Sequence, residues 1–580
     1  MAVENLKKIA FEGAQGFGAG ATGGRGGDIV KVTNLKDSGE GSLRWALEDL
    51  DDPRIVVFAV GGQIDLKEEI RINGDVTLAG QTAPGGITVS GARLRVIESN
   101  VIIRGMNLRP GDSNDGQKAE NRDGISVGKN GRTVEDVIID SNSISWAIDE
   151  NTSTWGSPNN VTWSNNLIAE ALQDSRHPKG DHSMGMLIGD GSENISIIGN
   201  LFASNDQRNA VVKDGSEHIE YINNVVYNYG RQALEVAGGS LHAIGNVMIA
   251  GDDSNGRAAI RLNTGDGRQA FYVSDNLSAV SGDATNKIKS SYVFDPSTKE
   301  IIPSEDVLDW VVSHAGVIID GKRSKIDQRI IDTVVDDDGR IIDSQKEVGG
   351  YLDQVAMKTI KDSDDDGIPD AYEKLIGSDA NRADSDKDAD GNGLANIEDY
   401  INALLDGSAK APSSYAISSD FVEEIISASG GSGTNGSSSR GDADSFVIEA
   451  EDFKIEKGFA TAKLSAASEG KVLRAHHDAE ASTTFDGKSG TYDIGVQYFD
   501  ETDGVSYLEV HLNGKMLDAW HWNANLGSAL ANMKTRTTHV IDDIEIEAGD
   551  EIVLIGTGAR STEPLRIDAL HFTPSDTLLN

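Results

Sequence analysis

Six short segments of this chain end in the same residue at intervals that suit only a coiled, stacked chain. Val137-Ile-Ile-Asp-Ser-Asn142, Val161-Thr-Trp-Ser-Asn-Asn166, Ile195-Ser-Ile-Ile-Gly-Asn200 and Ile219-Glu-Tyr-Ile-Asn-Asn224 align. Leu241-His-Ala-Ile-Gly-Asn246 and Phe271-Tyr-Val-Ser-Asp-Asn276 follow the same pattern. The Asn residues are 24, 34, 24, 22 and 30 positions apart. Repeats of that length mark a solenoid, with one coil per repeat. The apolar side chains of each short strand point inward. An Asn buried alone would be costly. Stacked in register, each amide can bond to the corner backbone and to the next Asn. The pattern therefore predicts an all-β fold whose main part is a right-handed parallel β-helix with an Asn ladder at one corner.

At 580 residues the chain is long enough for two to four domains. Its 65 glycines suit a turn-rich β protein. It has no cysteine, which excludes disulfides and any thiolate metal site. The formal net charge of −42 argues against a nucleic-acid partner, which calls for a basic footprint. A polyanionic ligand would need cations and local Lys or Arg against that field. No apolar run is long enough to span a membrane. The first residues lack the apolar core of a signal peptide. The domain content below still points to a secreted protein, with the signal absent from this sequence, and to a monomer.

In chain order, Thr22-Gly-Gly-Arg25-Gly-Gly has neither the Gly-Lys-Ser/Thr nor the following helix of a phosphate loop. Ser42 is placed to cap a short helix running to Leu50. The β pattern starts at Arg54. It fades over 285–360, where helical and extended pieces are expected to pack along the solenoid and cover its open end. Residues 1–360 are thus read as one domain.

Residues 361–405 carry two acidic loops of one design. The first places Asp362, Asp364, Asp366, Asp370 and Glu373 at positions 1, 3, 5, 9 and 12, with Gly367 at 6. The second uses Asp388, Asp390, Asn392, Asn396 and Asp399 around Gly393. That spacing wraps carboxylates around Ca²⁺. The pair resembles thrombospondin type 3 or dockerin-like repeats and is read as a calcium-binding spacer. Residues 406–445 are a Ser/Gly-rich linker. Residues 446–580 read as a β-sandwich, with Asn513-Gly514 as a hairpin turn. Its Glu449-Ala-Glu451 opening and late Asp568 resemble a family 6/35-type carbohydrate-binding module. There the resemblance implies that these acids hold a structural Ca²⁺. Trp520 and Trp522 are candidates to stack on a sugar, with burial in the core as the equal alternative.

The chemistry-bearing residues gather between 123 and 213. Asp123, Asp149 and Glu150 supply acids, and Arg208-Asn-Ala-Val-Val-Lys213 a basic pair. Between them lies the loop Arg176-His177-Pro-Lys179-Gly-Asp-His182. Positions one coil apart in sequence lie about 4.8 Å apart in space, so these residues can share one groove. A uronate polymer is cut most easily by β-elimination. Its carboxylate must be neutralised, its C5 proton removed and the developing charge stabilised.

At these residues the chain resembles the family 1 pectate lyases, over roughly 9–350. The resemblance includes the Thr22-Gly-Gly-Arg25-Gly-Gly opening, Gly80-Gln-Thr-Ala-Pro-Gly, Val137-Ile-Ile-Asp140 and Ser145-Trp-Ala-Ile-Asp-Glu150. It implies a polysaccharide lyase that uses Ca²⁺ to cut a polygalacturonate-like chain. It implies that Asp123 and Asp149, with Glu150 beside them, are Ca²⁺ ligands. The third family ligand falls on Ser153, a departure that leaves the number of ions open. Arg208 matches the family's proposed base and Lys213 its second basic position. The groove Lys has no clean match, so Lys179 or His182 stands for it, with Arg176 and His177 beside the substrate. Asp140 is read as part of a corner hydrogen-bond network. Two rivals stay open: a lyase or hydrolase for another acidic glycan, and a non-catalytic glycan-binding β-helix. A hydrolase predicts two carboxylates flanking the bond and no need for calcium.

Overall fold

A computed structural model describes residues 9–405 and 446–574. Excepted are 190, 256–258, 263–269, 279–288, 290, 300, 320, 353–356, 359–360, 377, 390, 392, 465–470, 476–477, 486, 501–505, 523–535 and 558–564. The proposed linker over 406–445, and Asp390 and Asn392 of the second acidic loop, lie outside the described residues. Two compact units are present, one on Met1–Lys410 and one on Gly430–Asn580.

The first unit is a parallel β-helix of three sheets, two of ten strands and one of eight. One coil contributes Val134–Asp140, Ser143–Ser145 and Glu150–Thr154, one strand to each sheet. The next contributes Pro158–Ser164, Leu167–Ala169 and Met184–Ile188, directly alongside. Val137, Val161, Ile195, Ile219, Leu241 and Phe271 pair in one row and are all fully buried. Inward-facing Val, Ile and Leu thus stack coil on coil into one continuous core. Burial of that apolar surface is the main force holding the coils together.

The Asn ladder runs through all six positions. The Nδ2 of Asn142 donates to Oδ1 of Asn166 at 3.1 Å, Asn166 to Asn200 at 2.9 Å and Asn200 to Asn224 at 3.0 Å. Asn224 donates to Asn246 at 3.1 Å and Asn246 to Asn276 at 2.7 Å. Each residue just before a ladder Asn has positive φ: Ser141, Asn165, Gly199, Asn223, Gly245 and Asp275. The corner needs a left-handed residue there, and Gly, Asn, Asp and Ser tolerate it better than branched residues do. Asp140 sits at the same corner, bonded to Arg104, Ser141, Ser164 and Asn165.

The glycine-rich opening lies flat on the first coil. A Cβ on Gly24 would sit 1.8 Å from the Arg54 carbonyl oxygen, and one on Gly27 1.9 Å from that of Pro53. Close backbone approach, not phosphate binding, accounts for these glycines. The hydroxyl of Ser42 accepts from the Trp45 N–H at 3.2 Å, as its capping role requires.

The described part of the segment after the repeats bonds the last coil through the Lys289 N–H and the Phe271 carbonyl, at 2.7 Å, and then packs along a flank of the β-helix. The helix Ser304–His314 places Trp310 over Gly199. Val317 then bonds Ser143, the helix Lys325–Val335 buries Asp327 against Arg109, and Met357–Lys358 pairs with Val60 and Gly61. The chain thereby runs back from the late coils to the first, because the outer face of that sheet offers polar partners along its length.

The acidic segment is docked on the first coils and does not stand free as a spacer. Ile368, Ile397 and Ile401 pack on Ile55, Val57 and Ala79. Arg25 pairs with Glu398 at 2.7 Å and Lys31 with Asp362 at 3.1 Å. Gln81 donates to the Ile401 carbonyl at 3.0 Å.

The second unit is built of a six-stranded and a five-stranded antiparallel sheet around a shared apolar core. Asn513 and Gly514 both have positive φ and join Ser506–Leu512 to Lys515–Trp522 as a hairpin. Trp522 is fully buried in the core and stacks on Tyr498, so it is not a sugar platform. Trp520 is half-buried and stacks on His539, with ring centroids 3.9 Å apart. Glu449 pairs with Ala569, next to fully buried Asp568, so these two acids share adjacent strands.

Candidate active site

The eight-stranded sheet carries the candidate site at the starts of its strands. Asp123 lies two residues before Ile125–Val127, Glu150 opens Glu150–Thr154, and His182 lies two residues before Met184–Ile188. Arg208 lies three residues before Val211–Val212. Parallel register then gathers side chains that are 26 to 85 positions apart in sequence.

Asp123, Asp149 and Glu150 each bring one carboxylate oxygen within 4.8 Å of the others. Asp123 is buried. Its Oδ2 accepts from Arg93 at 2.8 Å, while its Oδ1 has no hydrogen-bond partner. Glu150 pairs with the guanidinium of Arg208. Burial, and then the charge of Asp123, pushes Asp149 up to about 6. Burial, then Asp123 and Asp149, pushes Glu150 up to about 8, and Arg208 only partly offsets this. Arg93 and Arg208 offset the crowding of the three carboxylates only in part. The orphaned oxygen of Asp123 and this crowding fit a hard divalent cation, which prefers oxygen ligands. Ser153, in register beside Ser126 and Leu187, offers no carboxylate.

These raised values give a testable sign. At neutral pH Glu150 holds its proton when no cation is bound, so cation binding must displace it. Ca²⁺ affinity is therefore expected to rise from pH 6 to about 8 and then level off. Calorimetric titration in buffers of different ionisation enthalpy checks this. Equal apparent heats at pH 7 in every buffer would contradict it.

The His/Lys loop closes over the same acids. His182 Nε2 is 2.9 Å from Asp149 Oδ1, and His177 Nε2 is 3.6 Å from the same atom. The two rings stack at 3.7 Å. Burial lowers His177 to about 4 and also lowers His182, so both are neutral at pH 7. His177 is buried, and with Asp149 and His182 it forms a second group whose ligand atoms lie within 4.8 Å of one another. Lys179 and Arg176 are exposed; Arg176 bonds Asn114 and the Asp112 carbonyl, away from the carboxylates. Lys213 stands five residues beyond Arg208, half-buried.

Several supporting residues escape a reading of the sequence. A second Asn ladder lies under the site: Asn151 donates to Asn205 at 3.1 Å and Asn205 to Asn209 at 3.0 Å. It ties the neighbour of Glu150 to the neighbour of Arg208. Its members have no common spacing, so no periodic signal reveals it. Arg93 bridges Glu69 and Asp123 at 2.9 and 2.8 Å. Arg71 and Arg95 pair in register with Ser126 on the outward face. Here a signal exists, in the apolar-Arg-apolar alternation of Ile70-Arg71-Ile72 and Leu94-Arg95-Val96. A cavity of about 460 Å³ opens beside Arg93, Arg71 and Glu69.

Asn205→Ala is expected to lower melting temperature, because it removes the acceptor of Asn151 Nδ2 and of the Ala171 N–H and the donor to Asn209 Oδ1, at a cost of about 1–3 kcal/mol. It is also expected to lower kcat by about tenfold through the loosened Glu150 and Arg208. Unchanged kcat with lowered stability would limit this ladder to folding.

The acidic loops on the first coils form two further clusters. Asp362, Asp364 and Asp366 converge, as do Asp366, Glu373 and Asp384. Glu373 is fully buried, with neither carboxylate oxygen hydrogen-bonded, and burial raises it to about 7. Asp384 was not foreseen, because it precedes the second loop. Asp370 departs from the expected ligand set: it faces Lys361 at 2.6 Å and Ser363. In the second loop Asp388 accepts from the Gly393 N–H at 3.0 Å, and Asn396 from that of Ala389 at 3.0 Å. Asp399 is half-buried, its carbonyl accepting from Tyr372 at 3.0 Å.

No protein-family model matches the chain. Fungal proteins do. A probable pectate lyase C of Emericella nidulans is 35% identical over 415 residues, spanning 68% of this chain and 93% of that protein. A probable pectate lyase C of Aspergillus flavus is 36% identical over 431 residues, spanning 70% and 95%. Among solved structures, a pectate lyase from Bacillus sp. N165 in complex with trigalacturonate aligns at 15% identity and a TM-score of 0.39. That alignment covers 53% of this chain and 99% of the other.

Proposed function

The chain belongs to the pectate lyase family, and from that premise we propose that it cuts a polygalacturonate-like chain by β-elimination with Ca²⁺ in its groove. The observation that carries this reading is the three-carboxylate cluster of Asp123, Asp149 and Glu150, with Glu150 met by Arg208 from two coils further on. Ca²⁺ between these acids would neutralise the carboxylate of the uronate and so acidify its C5 proton. Arg208 takes that proton. The C–H electron pair becomes the C4=C5 double bond, the C4–O bond breaks, and the leaving oxygen gains a proton from water or a neighbouring acid. Arginine is a poor base in solution. If Glu150 served as a cation ligand, Arg208 would lose its carboxylate partner and be free to meet the sugar. Its side chain is 25% exposed and His182's only 5%, which favours Arg208 over His182 as the group that touches substrate. Exposed Lys179, whose charge acts on Asp149, supplies a counter-charge for substrate carboxylates.

The same reading takes the chain as an extracellular enzyme, since its polymeric substrate lies outside the cell. No described helix is long and apolar enough to cross a membrane. It takes 1–360 as the lyase domain, 361–405 as Ca²⁺-binding repeats, 406–445 as linker and 446–580 as a carbohydrate-binding module. The orphaned carboxylate of Glu373 supports Ca²⁺ in the repeats. Of the two candidate tryptophans, only Trp520 remains for sugar.

Ultraviolet absorbance of the unsaturated product tests the function. Polygalacturonate, methylated pectin, alginate and ulvan would each be run with Ca²⁺ and with chelator. A calcium-dependent rise on polygalacturonate is expected. A rise only on another polymer would replace the substrate, and new reducing ends without absorbance would sink the lyase reading.

A further inference from the structure

The outward side chains of the eight-stranded sheet form rows across the coils. One row, Ser126, Ser153, Leu187 and Val211, is uncharged and set by strand pairing. On one side of it stand the carboxylates and Arg208. The next outward row on the other side is Gly128, Trp155, Gly189 and Lys213, held by ladder bonds from Trp155, Gly189 and Lys213 N–H groups to the preceding coil. The two walls are roughly 15 Å apart along the strands.

Trp155 is 38% exposed, the only tryptophan among the exposed large apolar residues. A single exposed apolar side chain needs no explanation by itself. This one has a built seat. A Cβ on Gly189 would lie 2.7 Å from Cζ3 of Trp155 and 3.0 Å from Cγ of Lys213. The missing side chain at Gly189 therefore lets the indole lie over the sheet, against the stem of Lys213. An aromatic face beside an ammonium matches a hexuronate, which has an apolar ring face and a carboxylate on its edge.

We propose that Trp155 is a stacking platform for a uronate ring of the bound polysaccharide, with Lys213 meeting that ring's carboxylate. The proposal rests on the reading of this groove as the polyuronate site and adds a residue that fixes the ring's face. Trp155 contributes to binding before and during the reaction alike. Its loss should therefore appear in KM and leave kcat nearly unchanged.

The test compares Trp155→Ala, Trp155→Phe and Gly189→Ala on polygalacturonate with Ca²⁺ present. Trp155→Ala is expected to raise KM about tenfold with kcat within about twofold, and Trp155→Phe to recover part of the loss. Gly189→Ala, which displaces the ring, is expected to raise KM as well. Melting temperatures identify any variant that misfolds. As a binding readout without turnover, Arg208→Ala protein is titrated with oligogalacturonate, and tryptophan fluorescence is compared with and without Trp155→Phe. A response lost with Trp155→Phe is expected. If the unmodified protein cleaves but Trp155→Ala keeps its KM, or loses only kcat and stability, the platform is overturned and the lyase reading stands. If the unmodified protein neither cleaves the polymer nor shows a fluorescence response, both fall.

Discussion

Arg208→Ala is expected to lower kcat on polygalacturonate by about 1,000-fold, within the range for loss of a positioned proton-transfer group. KM should change much less. Arg208 sits at positive φ where the backbone enters the strand, and its guanidinium reaches back two coils to Glu150. Arg208→Lys should recover little, because an ammonium cannot reproduce the planar fork. The measurement is initial rate by ultraviolet absorbance across pH, with melting temperature in Ca²⁺ as a control. If Arg208→Ala retains more than about a tenth of the activity while His182→Ala abolishes it, the base is on the loop. In that case the rate should fall as pH drops through the His182 transition, which burial places below the usual histidine range.

The second large effect concerns the cation. Chelation, or Asp123→Asn, is expected to reduce activity by at least about 100-fold, the scale for losing a stabilising group at the developing charge. Asp123 is chosen because its Oδ1 is buried without a partner and its Oδ2 is already held by Arg93. Asparagine keeps the shape and removes the charge. Raised carboxylates also give a stability sign. A group whose folded pKa lies above its unfolded value contributes stability at low pH and loses it as pH rises. Without Ca²⁺, melting temperature should therefore fall as pH rises toward about 8, through the transitions of Asp149 and Glu150. With Ca²⁺ that fall should shrink. A calcium-free protein of constant stability from pH 5 to 8 would rule this out for the groove. Comparing Asp123→Asn with Glu373→Gln separates the groove from the acidic loops, whose ions would stabilise the docked segment and leave the reaction alone.

Much of the fold was legible because its signal is periodic. Inward Val and Ile, the ladder Asn and the left-handed residue before it recur once per coil, so neighbouring sequence units report on neighbouring space. The same holds for Asp123 and Glu150, which stand at matching places in adjacent coils. Trp522 misled, because a Trp in a polar stretch reads alike whether its strand faces the core or solvent, and sheet packing put it inside. Asp370 misled because Lys361, nine residues earlier, competes for its carboxylate. Arg93 and the Asn151–Asn205–Asn209 ladder were missed because their partners lie four to 54 residues away, at no repeating interval.

Residue pattern alone was enough for a parallel β-helix, its corner ladder, the acidic loops and the nearness of Asp123, Asp149, Glu150 and Arg208. Strand period, repeat length and ligand spacing are local properties, so they survive without coordinates. Tertiary structure alone decided that Asp123 keeps an unpartnered oxygen, that Glu150 pairs with Arg208, and that His177 and His182 stack beside Asp149. It also decided that the acidic segment docks on the first coils and that Trp155 lies over Gly189. Each of these depends on which side chains meet across coils. That is set by register and by the length of the intervening turns, which sequence spacing does not encode.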